Sequence, residues 1–190
     1  MSGTPLQEKS INTNRINRGT LLTADGVGAV ATIAFRGDGK LLDPSPDGRG
    51  FRPKNARPMS EQQIDRILFG SWGTDPAEDV VVCRIAEDEF EIHCHGGRMA
   101  AQRILDNLRA AGCSIEPWPD YLAARDGLWE SDYTLALSRV ATESGLSVLL
   151  QQRTAWQQLR TSIQAAANDL PQVSSLLESV LDRWEFARHL

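Results

Sequence analysis

The sequence predicts an α+β protein: a small domain with a mixed, barrel-like sheet and helices, followed by a long antiparallel helical hairpin. In the first two thirds of the chain, short apolar segments are separated by Gly, Pro and Asp, which is typical of strands and turns. From about Asp132, apolar residues recur at helical spacing with no proline before Pro171. These patterns predict a flexible N-terminus at 1–19, a sheet domain at 20–125 and a helical domain at 126–190.

The sheet domain is predicted to begin with two strands. Residues 20–35 contain two apolar, β-branched runs on either side of Asp25-Gly26, a dipeptide favoured in hairpin turns. Residues 36–58 are rich in Gly, Pro and Asp and predict a long loop. Two further strands are expected at 63–72 and 79–85.

The motif EIHCHGG, which begins at Glu91, contains two of the three histidines of the chain. It ends a segment of strict alternation from Glu89 to His95. Gly96-Gly97 then gives the backbone freedom for a sharp turn from strand to helix. We expect an inner face and an outer face on this strand. The inner face consists of Phe90, Ile92 and Cys94, and the outer face of Glu89, Glu91, His93 and His95.

A helix is predicted after this turn, and Gly112 is suited to the position that follows the helix. A short strand, CSIEPWP, is expected next, and its prolines Pro117 and Pro119 should stop it. The helical domain should contain two long helices joined near Asn168-Asp169, with Pro171 in the first turn of the second. The apolar side of the first helix is predicted from Met99, Ile104, Leu105 and Leu108.

Composition limits the classes of function. The net charge of -5 argues against a broad nucleic-acid-binding surface. No apolar run reaches the ~20 residues that span a bilayer, and the polar N-terminus has no secretory h-region. Cys83, Cys94 and Cys113 show no C-x-x-C spacing, which indicates reduced thiols, two of them buried. We therefore expect a cytoplasmic protein with no membrane partner.

The two histidines allow a metal site as one interpretation. Residues i and i+2 of a strand lie about 6.5–7 Å apart, so His93 and His95 could converge on one ion with Glu91 or a distant residue as third ligand. The other interpretation is structural, with Cys94 packed inside and the histidines on the exposed side. The sequence has no G-x-x-x-x-G-K-[ST] motif, so we expect neither GTP binding nor GTPase activity from this chain.

The order of motifs resembles the N-terminal part of the tRNA modification GTPases known as MnmE or TrmE. Family members have a glycine-rich strand similar to GVGAVATIAFRG here, and then a motif similar to AEDEFEIHCHGG. A helix comparable to QRILDNLRAAGCSIEP follows, and then the start of a helical domain. The G domain and the C-terminal cysteine motif of the family have no counterpart in these 190 residues.

The resemblance implies a homodimeric module that holds 5-formyl- or methylene-tetrahydrofolate as a one-carbon donor. The full-length family acts on tRNA with a second tRNA-modification subunit. Three charged contacts are usual in the family. The glutamate is matched by Glu91, whereas the arginine and lysine positions fall on Ala34 and Glu130, and Arg36 is the nearest substitute. The resemblance therefore predicts cofactor binding at Glu91 and Arg36. The alternative is a dimerisation module that has lost folate binding. A second alternative is a His-based metal site on strand 89–95.

Overall fold

The computed structural model describes residues 17–23 and 28–182 of the 190-residue chain. Most of the predicted N-terminal segment and the Asp25-Gly26 turn lie outside the described residues. Within them the structure is a mixed seven-stranded sheet with five α-helices, which confirms the α+β class. The chain divides after Tyr121 into a sheet unit and a helical unit. No helix in the described ranges is long and apolar enough to cross a membrane.

The sheet unit contains all seven strands, in the spatial order β3-β4-β5-β6-β2-β1-β7. Neighbouring strands are antiparallel except for β1 and β7, which are parallel. The strands are β1 (Arg18–Leu21), β2 (Val30–Arg36), β3 (Phe51–Pro53), β4 (Arg66–Trp72), β5 (Glu78–Arg84), β6 (Glu89–His95) and β7 (Ser114–Ile115).

The predicted long loop at 36–58 contains more structure than its composition indicates. A short 3-10 helix covers Gly39–Leu42, and β3 pairs with β4. A second 3-10 helix covers Met59–Glu61. Leu42, Phe51 and Met59 are fully buried, so the loop closes one side of the core. Burial of these apolar side chains holds in place a segment whose Gly and Pro content alone predicts mobility.

Helix α1 (Arg98–Ala110) packs on the inner face of the sheet. Ile104, Leu105 and Leu108 are buried as predicted, but Met99 is 83% exposed, so its assignment to the apolar side was wrong. At 3.6 residues per turn, Met99 lies on the side of α1 opposite the buried residues Ala101 and Leu108. Gly112 follows the helix with a φ of +91°, which glycine adopts without strain.

The helical unit differs from the prediction of two long helices. Helix α2 (Trp118–Asp126) begins where a stop was expected, and the first predicted helix is divided into α3 (Leu128–Arg139) and α4 (Glu143–Ala165). Thr142 explains the division, because its side chain accepts a hydrogen bond from the Gly145 N–H and caps α4. Helix α5 (Leu170–Leu181) follows the predicted link, with its proline in the first turn, and contacts α4.

Stacked aromatic rings join α3 to α4. The Trp129 ring is stacked on Tyr133 with centroids 5.1 Å apart, and on Trp156 at 5.7 Å. The Arg153 guanidinium lies 5.4 Å from the Tyr133 ring centroid. Trp129 and Trp156 therefore contribute to the packing of α3 against α4.

Candidate functional site on the Glu91 face

Strands β2 and β6 form a polar surface opposite the core, which we call the Glu91 face. Directly opposed residues of antiparallel strands point to the same side of a sheet, so the register fixes its members. The alternation predicted for β6 is confirmed, since Phe90, Ile92 and Cys94 are buried in the core. The Glu91 face consists of the opposed pairs Thr32–His93, Ala34–Glu91 and Arg36–Glu89.

Glu91 lies at the centre of this face, between Ala34 on β2 and Cys83 on β5. Its side chain is about one third exposed, whereas Ala34 is buried. The Oε2 atom of Glu91 is 3.5 Å from Nε2 of His93. The carboxylate is therefore accessible to a ligand and is already held on one side by a neighbouring imidazole.

Arg36 lies on the same face, one pair of opposed residues beyond Ala34 and Glu91. Its Nε atom is 3.4 Å from Oδ2 of Asp88 and 3.7 Å from Oε1 of Glu89. These ion pairs are partly exposed and contribute little stability, so they do not prevent the guanidinium from turning toward a ligand. Arg36 is thus near the glutamate but is engaged by two other carboxylates.

Glu130, at the usual lysine position, belongs to α3 in the helical unit. Its Oε2 atom is 3.6 Å from Nη2 of Arg153. The residue is therefore a carboxylate with its own cationic neighbour. It cannot replace the positive charge that the resemblance places at this position.

The two histidines of the motif have separate neighbours. His93 lies between Thr32 and Glu91, with its Nδ1 3.1 Å from the Thr32 hydroxyl. His95 Nδ1 is 2.5 Å from Oε1 of Glu78, which also accepts the backbone N–H of His95. In the described part of the chain, no group of three or more His, Cys, Asp or Glu residues could hold a metal ion. The geometry therefore gives no support to the metal interpretation.

The surroundings of the three cysteines are those of structural thiols. Burial raises the pKa of the Cys94 thiol to about 11 and that of Cys113 to about 12, and the nearby Glu78 and Glu116 carboxylates add to the respective effects. Burial, followed by the charge of Glu91, also raises the pKa of Cys83. Since the thiolate is the nucleophilic form, these thiols are poor nucleophiles at neutral pH. Cys94 and Cys113 are the two buried cysteines expected from the sequence.

An exposed apolar patch, Ile67 and Phe69 of β4, adjoins the Glu91 face and was missed by sequence reasoning. Ile67 is opposite Cys83 and Phe69 is opposite Val81, and these β5 residues are in turn opposite Glu91 and His93. Ile67 is 71% exposed and Phe69 is 49% exposed. Alternation along 66–72 could have identified the patch, because Leu68 and Trp72 occupy the other side of the strand and are buried.

Curated relatives match most of the chain at modest identity. The tRNA modification GTPase MnmE of Symbiobacterium thermophilum is 24% identical over 178 residues, which cover 85% of this chain and 38% of that protein. The protein of the same name from Geobacter sulfurreducens is 26% identical over 177 residues, covering 83% and 38%. Over most of its length the chain is therefore similar to MnmE proteins at low identity. A third MnmE, from Akkermansia muciniphila, is 33% identical over 102 residues, covering 48% of this chain and 21% of that protein.

The match is to part of each MnmE protein. The chain spans less than two fifths of the length of these curated relatives. No protein-family model matches the chain. The similarity therefore supports a common origin with part of the tRNA modification GTPases.

Proposed function

We propose that the chain binds a tetrahydrofolate derivative, 5-formyl- or methylene-tetrahydrofolate, at Glu91. The observation that carries this proposal is the accessible Glu91 carboxylate, held through Oε2 by His93 at the centre of a polar sheet face. A carboxylate accepts a pair of parallel N–H groups, and the pterin ring presents such a pair. The ligand class is the one implied by the resemblance of the EIHCHGG motif and its neighbouring segments.

Two features of the site bear on the fit of the cofactor. Thr20 lies opposite Ala34, in the same row of residues as Glu91, and its buried hydroxyl has no hydrogen-bond partner among the described residues. An unpaired buried hydroxyl costs about 1–3 kcal/mol, which a ligand group could recover. Ala34, which lies between Thr20 and Glu91 in this row, is itself buried. Arg36 is the cation that we assign to the carboxylates of the folate.

Replacing Glu91 by glutamine tests this assignment. We expect the affinity for 5-formyltetrahydrofolate, measured by isothermal titration calorimetry, to fall about 10- to 100-fold, because charge-assisted hydrogen bonds become weaker neutral ones. Glu61→Gln is the control, because it neutralises a carboxylate of the second 3-10 helix, outside the Glu91 face, and should change the affinity by less than about threefold. Equal losses in both variants, or no heat of binding by the wild-type chain at millimolar ligand, would contradict the proposal.

We further propose that the chain forms a homodimer through the apolar patch of Ile67 and Phe69. The patch lies beside the Glu91 face, so a second copy seated there would also enclose the ligand. Exposed apolar side chains that are contiguous with a polar site are typical of interaction surfaces. Dimerisation without folate is the alternative function, and it is favoured by Ala34 and Glu130 at the usual cationic positions.

The dimer is tested with Ile67→Glu. Placing a carboxylate in an apolar interface should weaken self-association at least tenfold in sedimentation equilibrium, since a buried unpaired charge is costly. Met99→Glu alters a similarly exposed apolar residue on α1 and should leave the association unchanged. A wild-type chain that sediments as a monomer at high concentration would contradict the proposal.

In this proposal the chain supplies a one-carbon-donor and dimerisation module. GTP hydrolysis, the tRNA substrate and the second modification subunit are assigned to the remainder of an MnmE-type system, which the matched residues do not span. The Glu91 face would then present the carbon unit to that system. No catalytic residue and no metal ligand is proposed in this chain.

A further inference from the structure

His93 connects Glu91 to a hydroxyl group on the neighbouring strand. Its Nε2 is 3.5 Å from Oε2 of Glu91, and its Nδ1 is 3.1 Å from Oγ1 of Thr32. The register of β2 and β6 places Thr32 directly opposite His93. The three side chains therefore form a connected row on the Glu91 face.

The chemistry of the three groups indicates which nitrogen of the His93 ring carries the proton. Nε2 of His93 faces the Glu91 carboxylate at 3.5 Å, a close electrostatic contact that favours the proton on this nitrogen. In a neutral imidazole with Nε2–H the other nitrogen is an acceptor. In that tautomer the Thr32 hydroxyl donates to Nδ1 of His93, and the Nε2–H group faces Glu91.

The backbone limits how far this row can rearrange. Thr32 and His93 are each in the middle of a seven-residue strand, and the Thr32 N–H also donates to Oγ1 of Thr23 at 3.3 Å. The β-branched side chain of threonine has few rotamers, so its hydroxyl is held toward the imidazole. Among the described residues, Glu91 has no further hydrogen-bond or ion-pair partner. One oxygen is thus held by His93, while Oε1 is left free to accept.

We propose that Thr32 and His93 are positioning residues for Glu91: they fix the imidazole as the Nε2–H tautomer and thereby orient the carboxylate toward a planar ligand with two adjacent N–H donors. This inference deepens the proposed folate site and rests on it for the ligand. A carboxylate that is oriented before binding loses less side-chain freedom when the ligand arrives. The affinity should therefore depend on a hydroxyl that need not touch the ligand.

The test uses the 190-residue chain and two substitutions at one position. Thr32→Val keeps the shape and removes the hydroxyl, whereas Thr32→Ser keeps the hydroxyl. Long-range ¹H–¹⁵N spectra report the tautomer of the His93 ring directly. We expect Nε2–H in the wild type and in Thr32→Ser, and a mixture of both tautomers in Thr32→Val.

Calorimetry with 5-formyltetrahydrofolate supplies the second measurement. Affinity should fall about 3- to 10-fold in Thr32→Val, the equivalent of one lost hydrogen bond, and stay within about twofold in Thr32→Ser. His93→Gln should retain binding within about threefold because its amide can still donate to Glu91 and accept from Thr32. His93→Phe has no such groups and should lose about as much affinity as Thr32→Val.

The two measurements separate this inference from the proposed function. A wild-type chain that binds no folate defeats the folate proposal, while the ring spectra still decide the positioning role. An Nδ1–H tautomer in the wild type, or an identical His93 spectrum in Thr32→Val, overturns the inference. The same holds if Thr32→Val and Thr32→Ser bind the ligand equally well.

Discussion

Replacing Gly96 by alanine is expected to lower the free energy of unfolding of the sheet unit by about 2–4 kcal/mol. A Cβ at this position would overlap the carbonyl oxygen and the carbonyl carbon of Gly28. These are backbone atoms, so they cannot move aside as a flexible side chain would. Gly96 also donates its N–H to Ala29 at 3.0 Å, which holds the two segments together. Urea unfolding followed by circular dichroism measures the effect.

Gly97 provides the matched control for Gly96. A Cβ at Gly97 has no atom within 4 Å, and its φ of -77° and ψ of 138° suit any residue. We expect Gly97→Ala to cost about 0.5 kcal/mol, because alanine is only slightly worse than glycine at a helix N-cap. Equal urea midpoints for Gly96→Ala and Gly97→Ala would contradict the close approach of Gly96 to the Gly28 backbone.

Replacing Trp72 by alanine is expected to cost about 3–5 kcal/mol, the range for deleting a large buried aromatic side chain. Trp72 is 1% exposed, and its indole N–H donates to Oδ1 of Asn107 at 3.1 Å. The residue therefore fills the core and joins β4 to α1. Its loss leaves a cavity and also leaves the Asn107 side chain without this hydrogen bond. Guanidinium unfolding of the sheet unit measures the change.

The control for Trp72 is Phe69, on the opposite face of β4. Phe69→Ala removes a half-exposed ring that has the Lys54 ammonium 6.0 Å from its centroid. Because the ring is already half exposed, its removal gives up only part of the transfer free energy of the side chain. We therefore expect the free energy of unfolding to fall by less than about 1.5 kcal/mol. Similar losses for both variants would contradict the assignment of an inner and an outer face to this strand.

Elements with a strong local signal were predictable from the sequence. Strand β6 shows strict alternation from Glu89 to His95, and the structure has the strand with those bounds. Helix α1 has a buried side at helical spacing and a glycine in the left-handed region after its end. In these elements local preference and tertiary packing favour the same conformation, so periodicity alone was sufficient.

The helical unit shows where local patterns are ambiguous. Pro119 was interpreted as the end of a strand, but it lies in the first turn of α2, where the absent N–H removes no helical hydrogen bond. Thr142 interrupts a leucine pattern that continues from α3 into α4, because an N-cap changes the chain direction without changing composition. A Thr followed by Glu143 was a usable sign of a new helix.

The side of the sheet on which Glu91 lies could be predicted from the sequence, but its neighbours on adjacent strands could not. Glu91 was placed on the outer face by alternation alone. Its connection to Thr32 through His93 depends on the register between β2 and β6, in which Thr32 and His93 are opposed although they are 61 residues apart in the sequence. Likewise, the contact of His95 with Glu78 needs the β5–β6 ladder. Long-range register is set by packing of whole strands, and a single sequence does not display it.

The most direct test of the central claim is to map the ligand on the ¹⁵N-labelled chain by amide chemical shifts during titration with 5-formyltetrahydrofolate. We predict that the largest shifts fall on strands 30–36 and 89–95, centred on Ala34 and Glu91, and that they disappear in Glu91→Gln. Shifts confined to other parts of the chain, or an unchanged spectrum at millimolar ligand, would contradict the assignment of this face as the folate site.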